Sequence, residues 1–216
     1  MAIIGGMGAT VENESPNAIA ITGGNEPRRR DFNAGEAGLS LRMFAPILAL
    51  FDREVALTGK GSLLARPIGM IEGPLRALGA RVRTENGFPP VTLQGPLRGG
   101  RAEVDGSVSS QFLSGLLLAT PLCENDTTLI VNGLKSAPYV RMTLEILRNF
   151  ALGLDCDNEL TRFDIPGRQS YRPLRYRVEG DWSGAAFLLV AGAVAGRAAV
   201  RDLNPSSLQA DRRILE

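Results

Sequence analysis

The sequence predicts an α/β (α+β) fold built from a repeated unit, and three observations carry that expectation. Strand-like runs such as NAIAIT, EVALT and TTLIV alternate with helical stretches, separated by Gly-containing turns. Landmarks also recur at a fixed spacing. Gly59 and Ser62 end a strand and open a helix, and Gly133 and Ser136 do so again 74 positions later. The helix ends Leu78-Gly79 and Leu152-Gly153 keep that register, and Met7 to Val11 matches Leu78 to Val82 at a shift of 71. Such constancy marks a repeat architecture. Finally, amphipathic helices alternate with helices apolar on every side, which places sheets outside and some helices inside.

Taken in order, residues 3–8 end a helix, a short strand starts at Thr10, and Asn17 to Thr22 forms another. Gly24 to Asp31 is a basic loop, and its Arg28-Arg29-Arg30 run reads as solvated. Gly35 to Phe51 is a helix with Leu39, Met43, Ile47 and Phe51 at helical spacing; Glu54 to Thr58 is a strand. The next helix starts near Pro67, with Ile68, Ile71, Leu75 and Leu78 in phase and a kink expected at Pro74. Arg81 to Arg83, Pro90 to Gln94 and Arg101 to Val104 are strands. The central stretch Val104 to Leu122 opens with the turn Asp105-Gly106-Ser107 and becomes a helix apolar on nearly every side, hence buried. Thr127 to Val131 is a strand, and Ser136 to Phe150 a helix with Tyr139, Met142, Ile146 and Phe150 on one face. Strands are expected at Arg162 to Ile165, Arg175 to Glu179 and Ala198 to Leu203, with a second all-apolar helix at Ser183 to Ala195 and a helix start in the last ten residues.

Composition narrows the chemistry. The 216 residues suffice for one or two domains with a sizeable core. Hydrophobic residues make up 44% and charged residues 22%, as in a soluble globular protein. A net charge of +1 gives no reason to expect nucleic acid or an anionic membrane. The longest apolar run, Ala185 to Ala195, falls short of the roughly 20 residues of a bilayer span. No signal peptide is expected from the N-terminal residues. With no His, imidazole catalysis is excluded within the chain. The two separated cysteines, Cys123 and Cys156, argue against a zinc site and fit a reducing cytoplasm.

The N-terminus of the central helix offers free backbone N–H groups, a positive dipole end and the hydroxyls of Ser107, Ser109 and Ser110, a combination suited to a phosphate. For an isolated Ser-Ser pair the simpler reading is a helix cap. The repeat brings several such helix starts to one end of the domain, making an electropositive face without a net basic charge.

Six segments together resemble the EPSP synthase family of enolpyruvyl transferases. They are Val104 to Leu122; Ser62-Leu63-Leu64-Ala65-Arg66-Pro67 with Gly69; Gly35 to Arg42; Ser136-Ala137-Pro138-Tyr139; Val178 to Asp181; and Asn204 to Asp211. They lie in one order along almost the whole chain. The resemblance implies two domains of three βαβαββ units each, with outer mixed sheets and some buried helices. Residues 1–176 would be a substrate-binding domain with an incomplete first unit, and 177–216 the start of a second. It also implies transfer of the enolpyruvyl group of phosphoenolpyruvate to the 5-hydroxyl of shikimate 3-phosphate, with release of phosphate and with no cofactor or metal. The full-length enzyme would be a cytoplasmic monomer.

Carried over by motif, Ser109, Ser110, Gln111 and Ser136 would hold shikimate 3-phosphate, with Tyr139 beside it. Gly38, Arg66 and Gln111 would bind phosphoenolpyruvate. Hydroxyls and helix N–H groups bind phosphate without bulk, and the Arg fork fits phosphate or carboxylate. Outside the motif, Arg66 reads as a solvated side chain, Gly38 as helix packing, Tyr139 equally as a core residue, and Asp181 and Ser206-Ser207 as caps. Glu36 stands where many members have Asn, and Leu39 where many have Thr. Trp182 and Arg141 also depart from the pattern, and the sequence assigns them no role. The family's first segment is expected before Met1 and most of its second domain after Glu216. No acid–base pair is evident between them, so the chain is expected to bind shikimate 3-phosphate without completing the reaction. The relative that transfers enolpyruvyl to UDP-N-acetylglucosamine shares the fold, but Ser-Ser-Gln and SAPY favour shikimate phosphate. A non-catalytic anion-binding module is the reading from another class.

Overall fold

Alternating apolar residues make the strands one-sided, and the sheets pack those sides over helices. In a computed structural model describing residues 2–24 and 26–216, α1 (Ala2–Gly6) precedes a two-stranded antiparallel hairpin, β1 (Thr10–Ser15) and β2 (Ala18–Thr22). Two four-stranded sheets follow. The first contains β3 (Asp31–Asn33), β4 (Glu54–Thr58), β5 (Arg81–Glu85) and β6 (Phe88–Gln94) in the order β3-β4-β6-β5. The second contains β7 (Gly100–Asp105), β8 (Thr127–Asn132), β9 (Asp155–Cys156) and β10 (Arg162–Ile165) in the order β7-β8-β10-β9.

The two orders are the same, and so are the directions. β3 and β4 run parallel, as do β7 and β8; the remaining neighbours are antiparallel. Parallel neighbours need a crossover. It is α2 (Gly38–Leu48) in the first unit and α4 (Ser110–Ala119) in the second. A second helix precedes each antiparallel pair, α3 (Glu72–Ala77) or α5 (Ala137–Asn149). Each unit is therefore βαβαββ, as the recurring landmarks require.

The central helix α4 is buried at Phe112, Leu113, Ser114, Gly115, Leu116, Leu117 and Ala119, and packs against α2 and α5. Gly115 permits the crossing with α2, because a Cβ there would lie 2.5 Å from the carbonyl oxygen of Met43. The Tyr171 hydroxyl donates to the Leu118 carbonyl at 2.6 Å near the other end of α4. The core continues onto the sheets through Val55, Leu57, Val91, Leu93, Leu129, Val131 and Phe163, each nearly or fully buried. Burial of each such side chain stabilises the fold by roughly 1.5–3 kcal/mol.

Several expectations are corrected. A three-residue strand, β3, lies between the expected basic loop and the next helix and overlaps the loop only at Asp31. The helix after Pro67 is divided: a 3₁₀ turn (Gly69–Ile71) precedes α3, so Pro74 falls in the first turn of α3, where its missing N–H breaks no ladder bond. On α2 the deeply buried residues are Leu41, Ala45, Pro46 and Leu48, while Leu39 is half exposed. On α5 they are Val140, Leu144 and Leu147, not Tyr139, Met142, Ile146 and Phe150. Both helices carry a second apolar face, and that face lines a cavity.

The segments Arg175 to Glu179 and Ala198 to Leu203 contain no strand. They lack neighbours for a ladder and meet chiefly where the Gly180 N–H donates to the Asp202 carbonyl. Helix α6 (Trp182–Ala195) forms, but only Trp182 and Ala185 are buried; Phe187 and Val194 are more than four-fifths exposed. An all-apolar helix needs cover on every side, and the described residues supply it on one. Among the described residues, no helix is long and apolar enough to cross a membrane.

Candidate functional site

The Asp105-Gly106-Ser107 turn feeds the chain from β7 into α4. Asp105 Oδ1 accepts from the Ser107 N–H at 2.9 Å and from its hydroxyl at 2.6 Å, and these bonds hold the carboxyl below its ordinary range. Ser109 is the N-cap of α4: its backbone is extended and its Oγ accepts from the Phe112 N–H at 3.3 Å. Two of the three hydroxyls at this helix start are thus committed within the chain. Ser110, first residue of the helix, faces a cavity.

That cavity has a volume of about 680 Å³ and lies between α2, α4, α5 and the start of α6. Its apolar wall comes from Leu39, Met43, Leu118, Met142 and Ile146. Its polar lining comes from Ser110, Gln111, Ser114, Ser136, Tyr139, Thr143, Asp181, Ser183 and Gln209. Ser114 and Thr143 share a hydrogen bond of 2.8 Å that ties α4 to α5. Ser136 is the N-cap of α5, yet its hydroxyl makes no capping bond. The starts of α4, α5 and α6 all face this space, and their dipoles favour negative charge there.

The fold therefore brings Ser110, Gln111, Ser136 and Tyr139 around one cavity. Ser109 lies behind it as a cap. Gly38 and Arg66 lie beside it, reached through Gln111. Gln111 Oε1 accepts from Arg42 Nη1 at 3.2 Å, and a Cβ at Gly38 would sit 3.4 Å from Arg66 Nη1 and 3.9 Å from Arg42 Nη1. Burial, and then the charge of Arg66, pull the Arg42 guanidinium below its ordinary value, and a guanidinium remains charged in proteins. Among the described residues, no carboxylate pairs with either arginine. Two guanidinium groups without a carboxylate partner beside a helix start are chemically suited to an anion.

The sequence reading quoted Arg42 only as part of a motif. Its position one helical turn after Gly38 was the available signal. Asp181 is a cap as expected, with Oδ1 accepting from the Ser183 N–H and Oδ2 from the Gly184 N–H, each at 3.0 Å. The structure also accounts for two unassigned residues. The Trp182 indole donates to the Asn204 carbonyl at 3.0 Å and so holds the chain end against α6, while Arg141 donates to the Asn158 carbonyl at 3.0 Å.

This fold matches known proteins. The family model described as EPSP synthase (3-phosphoshikimate 1-carboxyvinyltransferase) matches residues 1–216. The 3-phosphoshikimate 1-carboxyvinyltransferase of Methanoculleus marisnigri is 39% identical over 209 residues, covering 93% of this chain and 49% of that protein. The one from Klebsiella pneumoniae is 38% identical over 206 residues, covering 91% and 48%. Among solved structures, EPSP synthase from Acinetobacter baumannii superposes with a TM-score of 0.72 at 27% identity, over 87% of this chain and 42% of that one. The chain spans about half the length of the curated relatives it matches. With the two complete βαβαββ units, the motifs at their helix starts and a match over every residue, this chain belongs to the EPSP synthase family.

Proposed function

We propose that the chain forms the shikimate 3-phosphate half-site of an enolpyruvyl transferase, with part of the phosphoenolpyruvate site beside it. The observation that carries this reading is the Arg42–Gln111 bond, which joins the Ser110–Ser136–Tyr139 cavity to the Gly38–Arg42–Arg66 cluster. The Ser110 and Ser136 hydroxyls and the N–H groups at the start of α4 bind the phosphate of shikimate 3-phosphate. Ser109 holds that helix start in place. One lone pair of its oxygen is engaged by the Phe112 N–H, which leaves its proton and one further lone pair for a ligand. The apolar wall receives the carbon face of the ring. Arg42, Arg66 and the Gly38 N–H receive the anionic groups of phosphoenolpyruvate, with Gln111 between the two substrates.

Addition and elimination need a proton donor and a proton acceptor within hydrogen-bond reach of the reacting atoms. Asp181 is engaged by the α6 backbone, and the Tyr139 phenol holds its proton more tightly than usual, through burial first and then the charge of Asp211. The chain accordingly binds and orients substrate, and the acid–base groups belong to the remainder of a longer enzyme. Residues 1–176 act as the substrate-binding domain and 177–216 begin the second, in a cytoplasmic, monomeric full-length enzyme. Calorimetry with shikimate 3-phosphate tests the binding, and a phosphate-release assay tests the division of labour. Heat without turnover is expected; no heat at millimolar ligand contradicts the first part, and turnover by this chain alone contradicts the second.

A further inference from the structure

One polar cluster in the cavity is not absorbed by that reading. The Tyr139 hydroxyl donates to Asp211 Oδ2 at 3.2 Å, and the Ser183 hydroxyl donates to the same oxygen. Tyr139 is in the first turn of α5, Ser183 in the first turn of α6, and Asp211 in the 3₁₀ turn at Ala210–Leu215. The contact between Tyr139 and Asp211 spans 72 positions of sequence.

The carboxylate is held from behind. Gln209, two residues before it, accepts from the Trp182 N–H at 2.8 Å and donates to the Gly180 carbonyl and to Glu179 Oε1, both at 2.9 Å. Glu179 Oε1 also accepts from the Ser207 hydroxyl at 2.7 Å. The turn carrying Asp211 is thus pinned to the start of α6 independently of Tyr139.

A phenol has one proton and two lone pairs, and an ionised carboxylate only accepts. With its proton committed to Asp211, Tyr139 can offer the cavity lone pairs alone, and Ser183 is in the same state. We propose that Asp211 is a positioning residue that fixes Tyr139 as a hydrogen-bond acceptor toward the cavity. The ligand must then present a hydroxyl to Tyr139, while its phosphate lies toward Ser110 and Ser136, whose protons are free. The cavity is polarised into a donor end at α4 and an acceptor end at α6, which sets the orientation of a hydroxylated, phosphorylated ring. The charged groups facing the phenol are Asp211 and Asp181, and both disfavour its ionisation.

This inference rests on the proposed shikimate 3-phosphate reading for its ligand, though not for the contact itself. The test uses the whole chain with two probes, shikimate 3-phosphate and inorganic phosphate, and with tyrosine labelled at 13Cζ. The chain has three tyrosines, and Tyr139→Phe identifies the resonance of Tyr139 by its loss. Asp211→Asn is expected to move the Tyr139 ionisation to lower pH. Asp211→Asn and Tyr139→Phe are each expected to weaken shikimate 3-phosphate about fivefold, the double variant no further, and inorganic phosphate is expected to bind all three as it binds the parent. A purely structural role would move both ligands together, and that result overturns the proposal. So does an unmoved Tyr139 titration in Asp211→Asn, or losses that multiply in the double variant. If the parent chain does not bind shikimate 3-phosphate, the proposed function fails while the titration still decides the contact. If Asp211→Asn loses helix content, Asp211→Ser takes its place as the variant that removes the carboxylate, and the Tyr139 midpoint is read in the same way: a fall supports the contact, and an unmoved midpoint overturns it.

Discussion

Arg42 and Gln111 stand 69 positions apart, in the crossover helices of successive repeat units, and are joined by a 3.2 Å hydrogen bond from Nη1 to Oε1. The bond places a cation between the cavity and the Gly38–Arg66 cluster. Gln111→Glu would turn it into an ion pair and neutralise Arg42 without removing an atom from the packing. A charged hydrogen bond contributes about 1.5–3 kcal/mol. Phosphoenolpyruvate affinity, measured by calorimetry, is expected to fall at least about tenfold while the unfolding midpoint stays within error.

Adjacent serines at the start of α4 should behave differently. Ser109 caps the helix and Ser110 faces the cavity. Ser109→Ala is expected to cost about 0.5–2 kcal/mol of stability, the usual loss for a cap, measured by urea unfolding. Ser110→Ala is expected to leave stability unchanged and to weaken shikimate 3-phosphate. Equal effects of the two changes on both measurements would contradict this division.

Two glycines provide a second contrast. At Gly38 an added methyl meets only side chains, the nearest being Arg66 Nη1 at 3.4 Å, and the backbone is one that alanine adopts. Gly38→Ala is expected to alter stability by less than about 1 kcal/mol while filling the space beside the guanidinium groups and weakening phosphoenolpyruvate. At Gly115 the methyl meets Met43 backbone atoms at 2.5 and 3.0 Å, so α2 and α4 must part. Gly115→Ala is expected to cost about 1–3 kcal/mol or more, as overpacked cores do, seen as a lower thermal midpoint.

The thiols give a pH-dependent test. Burial pushes the Cys123 thiol up to about 11 from an ordinary 9.0, and burial is also the main cause of a raised value at half-buried Cys156. With the folded value above the unfolded one, the folded chain keeps its proton after the unfolded chain has lost it. The Cys123 contribution to stability is therefore complete below about pH 9 and declines as pH rises through about 11. A thiol reagent at pH 8 should modify Cys156 first and Cys123 only on unfolding, as mass mapping would reveal.

The repeat was legible because it is local. Gly59, Gly133, Leu78-Gly79 and Leu152-Gly153 recur in register, and the backbone beside such turns decides where strands and helices begin. Which face of α2 and α5 is deepest was not legible, since both helices are apolar on two sides and only the tertiary arrangement separates core from cavity. Helix α6 was read as buried from its own composition, but burial depends on what covers it. At the site, the family resemblance pointed to Ser110, Gln111, Ser136 and Tyr139, and each opens a helix or lies within its first turn. Arg42, Ser183 and Asp211 enter through contacts 28 to 72 positions long, which no local pattern encodes.

The central claim is that the cavity between α2, α4 and α5 holds shikimate 3-phosphate. Backbone amide NMR of the labelled chain titrated with that compound tests it directly. The account predicts saturable shifts at the amides of Ser110, Gln111, Ser136 and Tyr139, with small shifts on the β1–β2 hairpin. An unchanged spectrum at millimolar ligand, or shifts that cluster away from those four residues, would contradict it.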